Sequence, residues 1–390
     1  MSDRKPLPTQ VRLMGWISFW ADVCSEMVYV VTPIFMTQVL KIPPSIVGNI
    51  EGIAEAIVKF TTGAGGIWSD RIQKRVPFVR SGYFLSAFGK PIMAFATGWP
   101  VMLLARGLDR TGKGLRTAAR DALITESVDP EHRGHAFGWH RSLDTWGAVA
   151  GIAVSFVFIR LLPGEYRTLF LVAALPGLIA VALSFRLKDQ PVETQTKTKL
   201  QFDFKSVGRK FWWGLGLLGL FALANSSDAF LLVHAKSLGY SDDQLIGLYA
   251  LHNIVFALSS APAGKLSDKI GRWGVLAASW TLFAIAYAGM ASLPAAWIVL
   301  AFAVYGLHVG IFRGVSTALI ADLAPANARG SALGIFALAQ GVLTIFANLI
   351  TGVLYDTRGA STAFLTCAGI VMFAVILIPL EARITKGSAV

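Results

Sequence analysis

Residues Arg106 to Asp121, RGLDRTGKGLRTAARD, gather Arg106, Asp109, Arg110, Lys113, Arg116, Arg120 and Asp121 in an otherwise apolar chain. Two chemistries suit such a stretch. Gly107, Gly112 and Lys113 come within one residue of the phosphate-loop pattern G-x-x-x-x-G-K-[ST], in which backbone N–H groups cradle phosphates and a final hydroxyl holds magnesium. Gly114 stands where that hydroxyl is required, and no α/β pattern surrounds the stretch, so nucleotide chemistry is set aside. The second chemistry is charge inside a membrane. Positions 106, 109, 110, 113, 116 and 120 recur at intervals of three or four and read as one polar stripe on a helix. Ionisable residues within a bilayer are costly and are functional candidates by default.

Other interior charges join them. Asp22 and Glu26 lie four apart, as do Glu51, Glu55 and Lys59; Lys90, His140, Arg141 and Asp144 follow. Counted inward from the segment ends, Glu26, Glu55, Arg106, Asp109 and Arg110 fall near mid-membrane. Lys113, Arg141 and Asp144 fall deeper, and Arg116, Arg120 and Asp121 fall at the inner interface, where long side chains snorkel. Asp22, Glu26, Glu55, Lys59, Arg106, Asp109 and Arg110 are the candidates for substrate contact or proton coupling. Burial opposes ionisation of a carboxyl and a nearby Arg favours it, which makes Glu26 and Glu55 the first candidates to carry a proton. Lys113, Arg141 and Asp144 read as a structural or coupling network, with Asp144 paired to Lys113 or Arg141. Positive and negative charges nearly balance, and Arg binds carboxylate or phosphate bidentately. An anionic or zwitterionic organic solute follows. The second half offers fewer charges, among them Asp228, His252 and Arg313, and reads as a hydrophobic wall.

These charges need elements to hold them. Of 390 residues 54% are hydrophobic and only 15% charged, with a mean hydropathy of +0.59, against roughly a quarter charged in soluble domains. Runs of about 20 apolar residues read as membrane helices. Twelve are expected: 14–39, 45–68, 78–97, 100–121, 135–160, 166–186, 211–236, 244–267, 274–292, 294–320, 331–355 and 361–382. Residues 187–210 form the only sizeable linker, between bundles at 1–186 and 211–390. Lys and Arg gather near the N-terminus, at 71–80, in the linker, at 265–272 and near the C-terminus. The positive-inside rule puts those parts, both termini included, in the cytoplasm, with the chain integral to the cytoplasmic membrane. The same rule explains the net charge of +12 without nucleic acid. Cys24 and Cys367 support neither a disulfide framework nor a metal site, and the N-terminus reads as a retained first helix.

Self-similarity sets the architecture. ALITESVDPEHRGHAFG from Ala122 aligns without gaps to ALIADLAPANARGSALG from Ala318, and GIWSDRIQKR from Gly66 aligns to GKLSDKIGRW from Gly264. Both pairs occupy matched places in six-helix halves that begin and end on one side, which makes the repeat parallel. The fold class is therefore an all-α membrane protein of twelve transmembrane helices in two six-helix bundles related by a parallel internal repeat. Asp70 and Asp268, at the ends of the second and eighth helices, are placed to cap a neighbouring helix and pair with the adjacent Arg71 or Lys269.

This pattern resembles the major facilitator superfamily along the whole chain. That family's loop signature, close to G-x-x-x-D-R-x-G-R-R, is met by Gly66, Asp70, Arg71 and Arg75, with Gln73 where Gly is usual, and again by Gly264, Asp268, Gly271 and Arg272. Arg106 and Gly112 fit a helix-4 signature; Gly138, Gly147 and Gly151 keep the helix-5 glycine spacing, but Ile152 replaces the proline of the drug–proton antiporters. The resemblance implies that the two aspartate loops are cytoplasmic gates. It implies a secondary transporter working by alternating access, a monomer, proton-coupled, with a small-molecule substrate and with export as one direction open to it. No cofactor, metal or enzymatic activity is expected. A multidrug proton antiporter is the alternative within this class; a channel or membrane receptor is the alternative outside it.

Overall fold

The computed structural model describes residues 7–129, 132–189, 208–292, 294–325 and 329–379. Most of the 187–210 linker, the tips of both termini and part of the second long repeat lie outside them. Every regular element among the described residues is helical. They form twelve spans: α1 (Thr9–Val39), α2 (Pro44–Ile72), α3 (Val76–Ala94), α4 (Trp99–Glu126), α5 (Arg133–Leu161), α6 (Tyr166–Ser184), α7 (Arg209–Ser237), α8 (Asp242–Ile270), α9 (Arg272–Ser292), α10 (Ala295–Leu323), α11 (Arg329–Arg358) and α12 (Ala360–Leu377). Nine are apolar and long enough to cross a membrane; α2, α3 and α4 fall short. Those three carry Glu51, Glu55 and Lys59, then Arg80 and Lys90, then the charges of the 106–121 stretch. The stretch resembling a phosphate loop is continuous helix within α4.

Helix ends follow local chemistry. Pro77 and Pro100 enter the first turns of α3 and α4, where no N–H is lost. Ser241 and Gln244 close a capping box on α8, satisfying two end donors together. Two irregularities were not legible beforehand. The last turn of α1, Phe35–Val39, widens to a π-helix after Pro33. Helix α7 breaks at Asn225–Ser227, and the freed Ser227 N–H is taken up by Asn348 Oδ1 at 3.0 Å. Broken backbone at membrane depth is tolerated only with such a partner.

The chain divides into two compact units, Met1–Ile42 with Ile57–Lys197, and Pro43–Ala56 with Thr198–Val390. The first turns of α2 belong to the second unit. There Gly48 faces the Phe230 ring, Gly52 faces Asn348, and the Ser45 N–H points at the Asp356 carboxylate at 3.3 Å. In the first unit a core of Met14, Ile17, Val79, Tyr83, Leu123 and Ala136 joins α1, α3, α4 and α5. In the second, Phe221 stacks on Trp280, and Phe283 stacks on Tyr287 at 4.0 Å. Many large apolar side chains are left outside, as at Phe84, Trp146, Leu178, Leu258 and Phe373. Such a surface suits lipid rather than water.

The repeat is visible in packing. A Cβ at Gly114 would overlap the Thr61 hydroxyl, and one at Gly310 would overlap the Ser259 hydroxyl. Contact between α4 and α2 therefore recurs, at an offset of 196 to 198 residues, as contact between α10 and α8. Each unit is built on the same close glycine crossing.

Candidate functional site: buried charge in the first unit

Helices α3 and α4 touch backbone to backbone. A Cβ at Gly112 would lie 2.3 Å from the Gly82 carbonyl, and one at Gly89 would lie 3.0 Å from the Ala105 carbonyl. This approach lets Lys90 on α3 reach into α4. Its Nζ lies 2.7 Å from Asp109 Oδ1, and Arg106 Nη1 lies 3.5 Å from Asp109 Oδ2. Lys90 is 0% exposed, and Arg106, Asp109 and Arg110 are buried with it. One carboxylate thus serves two cations in a dry environment, where losing a partner is expensive.

The polar contacts continue. Ser86 Oγ donates to the Asp109 carbonyl at 2.9 Å and accepts from Arg116 Nη1 at 2.6 Å. The Arg116 guanidinium lies 4.6 Å from the Tyr83 ring centroid. Tyr83 Oη lies 3.1 Å from Ser18 Oγ, which lies 2.7 Å from His140 Nε2. A buried polar path therefore runs from α4 through α3 and α1 to α5. It corrects one expectation: Arg116 does not snorkel to an interface, because Ser86 and Tyr83 hold it inside the helix packing. The stripe is also divided. Asp109 and Arg116 turn towards α3, whereas Lys113 is exposed.

A second group gathers where α1 meets α5. A Cβ at Gly147 would meet the Phe19 carbonyl at 2.3 Å, and one at Gly151 the Val23 carbonyl at 2.7 Å. Asp22 then lies within electrostatic reach of Asp144, Lys113 and Glu26. Asp144 faces Arg120, His140 and Arg141, with Arg141 Nη1 3.6 Å from its Oδ2. Glu55 lies in the part of α2 assigned to the second unit and Lys59 in the part assigned to the first.

The loops after α2 and α8 hold one motif twice. Arg75 Nη1 lies 2.5 Å from Asp70 Oδ1 and donates to Ser69 Oγ at 2.9 Å, while Arg75 Nη2 lies 3.1 Å from Glu126 Oε1. Arg272 Nη1 lies 2.5 Å from Asp268 Oδ1 and donates to Ser267 Oγ at 2.6 Å, while its Nε lies 3.0 Å from Asp322 Oδ2. Ser69 and Ser267 each donate back to the carbonyl of Gly66 or Gly264. Burial works against the Arg75 charge, but the hydrogen bond to Asp70 and the Glu126 charge outweigh it and raise its pKa above the ordinary guanidinium value.

Two expectations for these loops need correcting. Asp70 and Asp268 pair with Arg75 and Arg272, not with the adjacent Arg71 or Lys269; a helix points adjacent side chains apart, and the chain reversal at Gln73 and at Gly271 brings Arg75 and Arg272 back to the carboxylates. Nor does Asp70 cap α3. Asp189 does so, its Oδ1 accepting from the N–H groups of Arg75 at 2.6 Å and Val76 at 2.8 Å. The loops also differ by one residue: the ungapped match sets Arg75 against Trp273, yet Arg272 does its work. Gln73, where Gly is usual, sits at φ 58°, and Gly271 sits at φ 94°. Gln73 Nε2 donates to the Asp70 carbonyl at 2.8 Å, which helps offset the left-handed backbone.

Charge and spacing singled out Arg106 and Asp109, and the family's loop signature singled out Arg75. They missed Ser18, Tyr83, Ser86 and Asp189, because uncharged groups inside apolar runs and a lone aspartate in a linker carry no periodic signal.

Two repeated six-helix sets, charges buried in mid-span and a matched loop triad in each half define a polytopic membrane transport protein. The chain belongs to the major facilitator superfamily, whose model matches residues 14–251 and 214–388. An uncharacterised transporter of that type from Methanocaldococcus jannaschii is 33% identical over 91% of this chain and 90% of its own length. A probable 4-methylmuconolactone transporter from Cupriavidus pinatubonensis is 25% identical over 74% of this chain and 70% of its own. Among solved structures, a nucleoside transporter shares the fold at a TM-score of 0.78 and 16% identity, over 95% of this chain and 99% of that one.

Proposed function

We propose that this protein is a secondary active transporter that moves a small organic solute by alternating access, coupled to protons. The observation that carries the reading is the Lys90–Asp109–Arg106 cluster with Arg110 beside it, buried where the last turns of α3 meet the first half of α4. Charge at that depth is retained for substrate or ion pathways, and guanidinium groups there suit a carboxylate-bearing, anionic or zwitterionic solute. A relative named for a lactone of an organic acid supports the same substrate class. Asp22, Glu26 and Glu55 are the proposed carriers of the coupling proton. The two arginine triads are proposed to act as gates on the cytoplasmic side, with both termini and the 187–210 linker there and the chain a monomer in the cytoplasmic membrane.

Reconstituted protein tests this. Preloaded solute should accelerate uptake of labelled solute from outside (counterflow), and an imposed pH gradient should drive accumulation. Conduction without trans-stimulation would mean a channel and would end the proposal. Glu26→Gln or Glu55→Gln should abolish gradient-driven accumulation while sparing exchange; unchanged accumulation in both would remove those residues from the coupling role.

A further inference from the structure

The second unit was expected to present a hydrophobic wall, but it holds a compact polar cluster about halfway along its helices. Helix α7 breaks at Asn225–Ser227, and Asp228 opens the half that follows. Tyr305 Oη on α10 donates to Asp228 Oδ1 at 2.6 Å. His252 on α8 lies flat between two aromatic rings, 5.2 Å from the Tyr305 centroid and 6.1 Å from that of Tyr249, with interplanar angles of 26° and 18°. The backbone forces this arrangement: a Cβ at Gly306 would lie 2.5 Å from the His252 carbonyl, so α8 and α10 touch at this level.

Two features of the cluster are incomplete. His252 is 6% exposed, yet its Nδ1 has no hydrogen-bond partner among the described residues. A buried polar atom without a partner is costly and rare enough to need an explanation. Asp228 makes no ion pair with Lys or Arg among the described residues; its hydrogen bond is to a neutral phenol. The nearby cation Arg313, whose field reaches His252, is itself over the Phe256 ring at 5.3 Å. A carboxylate at membrane depth normally has a cationic partner.

We infer that Asp228, His252 and Tyr305 form a subsite for the protonated amine of an organic solute. Asp228 supplies the opposite charge. With its ring proton on Nε2, His252 accepts through Nδ1. The Tyr249 and Tyr305 rings, stacked on the imidazole, hold that acceptor in place. An ammonium has three donors and no acceptor, which matches two acceptors framed by aromatic rings; a carboxylate or phosphate would meet Asp228 with like charge. This deepens the transport reading and rests on it, by giving a zwitterionic solute a place for its positive end.

The test needs no known substrate. Thermal unfolding of the purified full chain is followed by tryptophan fluorescence with three matched probes: phenethylamine, 2-phenylethanol and phenylacetate. Phenethylamine should stabilise the wild type more than the other two. Asp228→Asn should weaken its apparent affinity roughly tenfold or more, the usual loss for a charge-assisted hydrogen bond. His252→Phe, which keeps the stack and removes the acceptor, should weaken it several-fold and serves as the readout if Asp228→Asn does not fold. No amine-dependent shift in the wild type overturns the inference. So does equal stabilisation by the alcohol or the acid, or an amine effect that survives both substitutions. Because binding is read without transport, this result stands apart from counterflow: a carrier can pass that assay and lack this subsite.

Discussion

Asp109 is the point at which the first unit is most exposed to a single change. Asp109→Asn keeps the shape of the side chain and removes the one carboxylate that two buried cations share. Lys90, with no exposed side-chain surface, loses its contact at 2.7 Å, and Arg106 loses its contact at 3.5 Å. Removing one partner of a buried pair costs about 3–5 kcal/mol, chiefly from the charge left behind. Lys90→Met should cost less, about 1–2 kcal/mol, because Asp109 still has Arg106 and the methionine fills the space. Replacing all three, as Lys90→Met, Arg106→Met and Asp109→Leu, should recover much of the loss, since apolar groups of similar volume substitute well for buried ions. Unfolding in mild detergent, titrated with sodium dodecyl sulfate and read by tryptophan fluorescence, gives the order. A Lys90→Met protein as unstable as Asp109→Asn would refute the shared-carboxylate argument. So would a triple variant no more stable than Asp109→Asn.

Other changes follow from the same geometry. Arg75→Gln should destabilise more than Arg272→Gln in the same titration, because the Arg75 side chain is 9% exposed and that of Arg272 is 23%, and exposure screens a pair towards the small values of surface bridges. Gly271→Ala should cost about 1–3 kcal/mol, since φ 94° with ψ 148° is a region almost closed to residues with a Cβ. Gly114→Ala and Gly310→Ala should each lower the unfolding midpoint by a similar amount, because each Cβ would overlap a hydroxyl and the helices must part. Cys24 and Cys367, 2% and 3% exposed, should resist maleimide labelling in the native protein and react after denaturation, as counted by intact mass.

Much of the architecture was legible in the chain. Twelve apolar runs, a charge bias in the loops and two repeated motifs specify twelve helices in two related sets, because a bilayer admits few other ways to satisfy backbone polar groups. Several helices came out longer than the runs, as at Trp99–Glu126, where amphipathic turns extend past the apolar segment, while α3, α6 and α12 end before the runs do, at Ala94, Ser184 and Leu377. The break in α7 gave little warning: Asn225–Ser227 is only a short polar patch, and what allows it is Asn348, far along the chain.

The sequence by itself determined which residues could bear charge inside the membrane and that the chain is a doubled six-helix membrane protein, because hydropathy and repetition are properties of order along the chain; transport was implied by the family its motifs resemble. The tertiary structure decided the pairings. It joined Lys90 to Asp109, gave Arg116 to Ser86 and Tyr83, passed the partnership of Asp70 from Arg71 to Arg75, and set His252 between two tyrosines beside Asp228. Those choices depend on how closely helices cross, which glycines such as Gly112 and Gly306 fix by admitting a neighbouring backbone where a Cβ would keep it out.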